Sequence, residues 1–205
     1  MKSKILISTG GSGGHVIPAI TMHDHLKDNY DILISSDVRG LKYVDNNLYN
    51  IIVVDTPRLN NLILLPLSIL KVIFLIFRSL LFLKKKKIQI LISTGGYMSL
   101  PLCIAARILN IKIYLLEPNM VIGRVNKFFL KFCEKIICYS ENIIDFHKEF
   151  KSKLRIISPL IRKKYYNQKL KKNDNKKFTL LIIGGSQGAQ IFDKILHLSL
   201  IHISE

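Results

Sequence analysis

Acidic residues are scarce in this chain. Its 205 residues hold 14 Asp and Glu against 31 Lys and Arg, a formal net charge of +17. Such a balance suits an anionic partner: nucleic acid, a membrane surface or phosphorylated substrates. Lys, Ile and Asn are abundant together, as an AT-rich genome would make them, so the charge alone identifies no ligand. Cysteine is also sparse. Cys103, Cys133 and Cys138 form no C-x-x-C pair and leave one over in any disulfide scheme. That excludes a disulfide framework and predicts reduced, buried thiols in a cytosolic setting. The opening "MKSKILISTGG" has too short an apolar run for a signal peptide and reads as a first strand entering a core.

Several motifs are missing too. No G-x-x-x-x-G-K-[ST] occurs, and "GGSGGHV" lacks the third glycine of G-x-G-x-x-G. No D-x-D is present, so a metal-diphosphate site has no support and no metal is expected. The chain carries no helix-turn-helix, RNA-binding or zinc-finger signature, so nucleic acid is not expected as a partner. His23 and His25 are two residues apart, with no partner carboxylate pattern, and are expected at the surface.

What is abundant is apolar: 49% of residues are hydrophobic, enough for a substantial core. Short Ile/Leu/Val runs recur at residues 5–8, 32–35, 51–54, 88–93, 111–116, 136–139 and 178–183. They are continuous rather than alternating, as in parallel strands covered on both faces. Segments of helical periodicity, such as "HVIPAITMHDHLKD" and "LPLCIAARILN", lie between most of them. The alternation predicts a doubly wound α/β sheet. "KKNDNKK" at residues 171–177 reads as a solvated loop before a new strand, which puts a domain boundary near residues 159–175.

"ILISTGG" occurs twice, at residues 5–11 and 90–96, and "LLIIGGSQGA" at residues 180–189 has the same shape. A parallel strand that runs into glycines and then a helix sets those glycines at the carboxyl edge of the sheet. There the backbone can turn tightly and a ligand can approach. The helix N-terminus beyond offers free N–H groups and a partial positive charge, suited to phosphate.

Five short motifs then occur in the order found in the MurG family of glycosyltransferases. "GGSGGHVIPAI" (residues 10–20) resembles its glycine-rich opening, and "GGYMSLP" (95–101) its second glycine loop. "LEPNMVIGRVNK" (116–127) is similar to its H-E-Q-N-x-x-x-G-x-x-N segment, with Leu116 in place of His and Pro118 in place of Gln. "SPLIR" (158–162) resembles G-N-P-V-R, with Ser158 for Asn and one residue more before Arg162. "GGSQGA" (184–189) matches the first loop of the family's C-terminal domain.

The resemblance implies a GT-B fold of two Rossmann-like domains. Residues 1–160 would be an acceptor-binding, membrane-associating domain, 161–177 a linker and 178–205 the truncated start of a donor-binding domain. It implies transfer of GlcNAc from UDP-GlcNAc, with inversion, to the C4 hydroxyl of the undecaprenyl-diphosphate-linked N-acetylmuramyl-pentapeptide in peptidoglycan synthesis. No cofactor is implied. His15 would be the general base, or else a helix N-terminal histidine that positions phosphate. Ser12, Gly13, Gly14, Asn119, Arg162 and Ser186 would contact UDP-GlcNAc or the acceptor diphosphate. The final "LHLSLIHISE" does not read as a natural domain end, so the chain is expected to be inactive alone. Two other readings stay open: a non-catalytic membrane-docking half of a two-subunit transferase, and a transferase for another lipid acceptor.

Residues 62–87, "LILLPLSILKVIFLIFRSLLFLKKKK", are long and apolar enough to raise a transmembrane reading. Pro66, Lys71 and Arg78 interrupt them, and they fall between two strands of one sheet. A helix lying in the interface of an anionic membrane, with residues 84–87 at the headgroups, is expected instead. The protein would then be peripheral, on the cytoplasmic side of the inner or plasma membrane.

Overall fold

The computed structural model describes residues 2–45, 47–57 and 65–166. They fall in one compact unit that ends at Asn167. The strand expected at residues 178–183, the lysine-rich loop and the third glycine loop lie outside the described residues.

Seven parallel strands form one sheet in the order β3-β2-β1-β4-β5-β6-β7. They are β1 (Lys4–Ser8), β2 (Asp31–Ser36), β3 (Ile51–Val53), β4 (Ile90–Ser93), β5 (Lys112–Glu117), β6 (Lys135–Cys138) and β7 (Leu154–Ile156). The helices are α1 (Gly13–Leu26), α2 (Leu65–Lys86), α3 (Leu100–Ile108), α4 (Arg124–Phe129) and α5 (Lys163–Tyr166). Six strands match the apolar runs. The seventh, β7, was not foreseen because Arg155 interrupts its short apolar stretch and both Arg155 and Ile156 are exposed at the sheet edge.

The two "ILIS" segments are neighbours in the sheet and lie in register, Ile5 beside Ile90 through Ser8 beside Ser93. Winding reverses between these two strands: β2 and β3 lie on one side, β5 to β7 on the other. Doubly wound sheets bind ligands at the carboxyl ends of the strands where the order reverses. The duplicated sequence therefore stands at that switch point.

Residues alternate between two cores. Leu6, Leu91, Ile113, Leu115 and Ile136 pack with Leu83 of α2, Leu102 of α3 and Phe129 of α4. Ile5, Ile7, Ile92 and Leu116 pack with Ala19 and Met22 of α1 on the opposite face. The three cysteines are buried free thiols. Burial pushes Cys103 and Cys138 up to about 12, with the adjacent Glu117 charge adding to the rise at Cys138. Both stay protonated at neutral pH and are inert.

α2 differs from a core helix. Leu67, Leu70, Phe74, Phe77 and Leu81 form an exposed stripe at helical spacing, while Val72, Ser79 and Leu83 are buried on the other side. Only 11% of an apolar 18-residue window of α2 is buried, so this is not a wholly core-facing helix. By length and composition α2 could cross a membrane. It packs on α3 and connects two strands of the same sheet.

Candidate active site

Thr9 to Ser12 link β1 to α1, and Thr94 to Gly96 lead from β4 through a 3-10 turn (Tyr97–Ser99) into α3. The two loops are joined at their bases. The buried Thr94 hydroxyl donates to Thr9 Oγ1 at 2.9 Å, and the Thr94 N–H donates to the Ser8 carbonyl at 3.0 Å. Met98 joins them higher up. A Cβ on Gly11 would lie 3.0 Å from Met98 Cε, and one on Gly96 would lie 2.5 Å from Met98 Sδ. The loops thus form one unit.

Asp37, just after β2, holds the first loop and was missed in the sequence reading. Its Oδ1 accepts the N–H of Gly11 at 2.7 Å and that of Gly40 at 2.9 Å. Its Oδ2 meets Nε and Nη2 of Arg39, each at 2.7 Å. Burial alone would raise its pKa, but the two N–H donors and the guanidinium prevail and hold it below the usual carboxylate value. Gly10 has φ +147°, and a Cβ there would lie 2.5 Å from Asp37 Oδ1. Only glycine lets this carboxylate come so close. The available signal was an acidic residue immediately after an apolar strand, in "ISSDVRG".

Ser12 is extended (φ −123°, ψ 163°) at the N-cap of α1, and its hydroxyl makes no capping bond. Its carbonyl accepts the N–H groups of His15 and Val16. The N–H groups of Gly13 and Gly14 precede the helix's own ladder and have no partner within it. Pro18 has no N–H to return to the Gly14 carbonyl, so that group is spare as well. Gly13 is covered by the Tyr43 ring, whereas Gly14 is exposed. His15 is half-buried. Its Nδ1 is shielded from solvent and has no hydrogen-bond partner among the described residues. A shielded ring nitrogen without a partner is costly, so Nδ1 marks a polar group that the described residues leave unsatisfied.

Glu117, at the end of β5, is 1% exposed and accepts four N–H groups. They come from Asn119 N and Nδ2, Gly123 N and Asn126 Nδ2. The Asn126 amide also touches the second loop: a Cβ on Gly95 would lie 3.0 Å from its Nδ2. Asn119 is thereby brought to the carboxyl edge near the glycine loops. Arg162 is not gathered with them. It lines a cavity of about 380 Å³ with Asp24, Tyr43 and Tyr49 on the flank of α1. Ser186 lies outside the described residues. Nor are His23 and His25 free surface groups. His23 Nδ1 pairs with Asp24, and His25 Nε2 lies 2.9 Å from the Ile161 carbonyl, because the chain after β7 folds back along α1.

A doubly wound parallel sheet with paired glycine loops at its switch point is the Rossmann-like unit of a GT-B glycosyltransferase. The chain belongs to glycosyltransferase family 28, whose N-terminal domain matches residues 5–138. A protein of Pelagibacter ubique is 53% identical over the whole chain; it is named UDP-N-acetylglucosamine--N-acetylmuramyl-(pentapeptide) pyrophosphoryl-undecaprenol N-acetylglucosamine transferase. A protein of the same name from Rickettsia felis is 31% identical over 96% of the chain. This chain spans 58% and 57% of the lengths of those two relatives. Crystalline MurG of Acinetobacter baumannii shares the fold, with a TM-score of 0.71 at 21% identity over 94% of this chain and 55% of that one.

Proposed function

We propose that this chain is the acceptor-side portion of an inverting transferase. It would act with UDP-GlcNAc on the undecaprenyl-diphosphate-linked N-acetylmuramyl-pentapeptide. Residues 1–160 bind the acceptor, 161–177 link the domains and 178–205 begin the donor domain. The observation that carries the reading is the joining of the two glycine loops at the switch point, with His15 in the first turn of the helix that follows the first of them. The 53% identity to the Pelagibacter transferase supports the substrate assignment.

Ser12, Gly13 and Gly14 offer N–H groups and a hydroxyl to the acceptor diphosphate. His15 removes the proton from the acceptor C4 hydroxyl as that oxygen attacks the anomeric carbon. The bond from C1 to the UDP oxygen breaks, and UDP leaves with its electron pair. Attack opposite the leaving group inverts the anomeric centre. No step uses a metal or cofactor. Ser186 serves the donor, Asn119 the substrate, and Arg162 the donor or the junction between domains.

The exposed stripe of α2 lies in the headgroup region of the membrane that carries the acceptor, on the cytoplasmic side. Residues 84–87, all exposed lysines, supply about 1 kcal/mol each near an anionic surface. Binding measurements test the acceptor assignment. The 205-residue chain should bind a fluorescent, short-chain polyprenyl-diphosphate-linked muramyl-pentapeptide and bind UDP-GlcNAc far more weakly. The opposite preference would refute it.

A further inference from the structure

We infer that Glu117 is a positioning residue that fixes the hydrogen-bonding polarity of the second-loop side of the site. It makes Asn119 read a donor group of a sugar, a hydroxyl or an acetamido N–H, and not a phosphate. This rests on the proposed substrate class and deepens it.

The argument starts from what a carboxylate can do. Glu117 can only accept, and it is 1% exposed, so water does not share its oxygens. Oε1 takes Asn119 N at 3.3 Å and Asn119 Nδ2 at 3.0 Å. Oε2 takes Gly123 N at 2.9 Å and Asn126 Nδ2 at 3.1 Å. Both asparagine amides must therefore turn their NH₂ groups inward. Asn126 is doubly fixed, since its Nδ2 also donates to the Leu116 carbonyl at 3.2 Å. Turning either amide over would set an oxygen against the carboxylate.

The consequence lies on the outward side. Asn119 is exposed, and one of the two N–H groups of its Nδ2 is tied to Glu117, which fixes the amide with Oδ1 as the acceptor on the side away from the carboxylate. Asn126 is buried, so although its Oδ1 has no partner among the described residues, Asn119 is the one of the two that faces outward. An amide oxygen accepts hydrogen bonds and repels phosphate oxygens, which also only accept. The first glycine loop has the reverse polarity, with N–H groups at Gly13 and Gly14. The edge of the sheet thus divides the work, with phosphate on the first loop and sugar donors at Asn119. Neither glycine loop sequence hints at this division, because it depends on a carboxylate two residues before Asn119 and nine before Asn126.

Side-chain amide NMR on the ¹⁵N-labelled 205-residue chain tests it, with methyl N-acetyl-α-muramide and inorganic pyrophosphate as separate probes. The sugar should shift the Asn119 side-chain amide signals, and pyrophosphate should shift the backbone signals of Gly13 and Gly14 only. Glu117→Gln supplies an inward donor and lets the Asn119 amide turn over. Sugar affinity should then fall about tenfold, and pyrophosphate should begin to shift Asn119. Asn119→Ala leaves Glu117 its other donors, so the test survives should Glu117→Gln not fold. It should weaken the sugar to the same extent and leave pyrophosphate within about twofold. Pyrophosphate moving Asn119 in the unaltered chain would overturn the inference. So would a sugar that leaves Asn119 unmoved, or pyrophosphate weakened by Asn119→Ala. Transfer activity is not read in these experiments, so failure of the transferase reading would be seen separately.

Discussion

Asp37 Oδ1 lies 2.7 Å from the backbone nitrogen of Gly11, so a buried carboxylate holds the first glycine loop in place. The same oxygen takes the Gly40 N–H, and Arg39 closes the other side. Asp37→Ala leaves two N–H groups and a guanidinium without their acceptor. The loss should be about 2–3 kcal/mol, discounted because Arg39 is 41% exposed. Urea unfolding should show a lower midpoint with an unchanged slope. An unchanged midpoint would remove Asp37 from the account of the loop.

Asp37 also predicts a pH dependence. Its folded pKa is depressed, and an unfolded aspartate titrates near about 3.9. Its contribution is complete above that value and is lost as pH falls through the lower folded one. Thermal melts of the native chain and of Asp37→Asn should differ most near neutral pH and converge in strong acid. A gap that widens on acidification would contradict the depressed pKa.

His15→Ala tests the base. In the chain joined to a donor domain it should lower kcat by about 10²–10⁴ and leave KM for UDP-GlcNAc nearly unchanged. A kcat within a few-fold, with a sharp rise in acceptor KM, would make His15 a binding residue.

The α2 stripe predicts peripheral membrane binding. Co-sedimentation with anionic vesicles should fall when Phe74 and Phe77 become Ser, or when the lysines at 84–87 become Gln. High salt should weaken it because exposed charges are screened. Binding that resists both salt and alkaline carbonate would indicate a membrane span instead.

Much of this was legible in the sequence because it is local. The repeated "ILISTGG" predicted two strand-to-glycine turns, and the structure sets those identical strands side by side in register. The apolar runs predicted six of the seven strands among the described residues. What escaped depends on residues distant in the chain. Asp37 meets Gly11 across 26 positions, and Met98 reaches back to Gly11 from the other loop. Neither contact has a local pattern. The histidines at 23 and 25 read as surface groups because the Tyr49 ring against His23 and the Ile161 carbonyl against His25 come from later in the chain, although Asp24, which also pairs with His23, is its neighbour.

The central claim is that this chain supplies the acceptor side of a GlcNAc transferase. The most direct measurement joins residues 1–205 to the remaining C-terminal part of the Pelagibacter ubique relative. Radiolabelled GlcNAc transfer from UDP-GlcNAc to the undecaprenyl-diphosphate-linked muramyl-pentapeptide is then followed. The joined protein should form the β-linked disaccharide lipid, and the 205-residue chain alone should form none. A folded joined protein that binds the acceptor and transfers nothing, or transfer by the chain alone, would contradict the account.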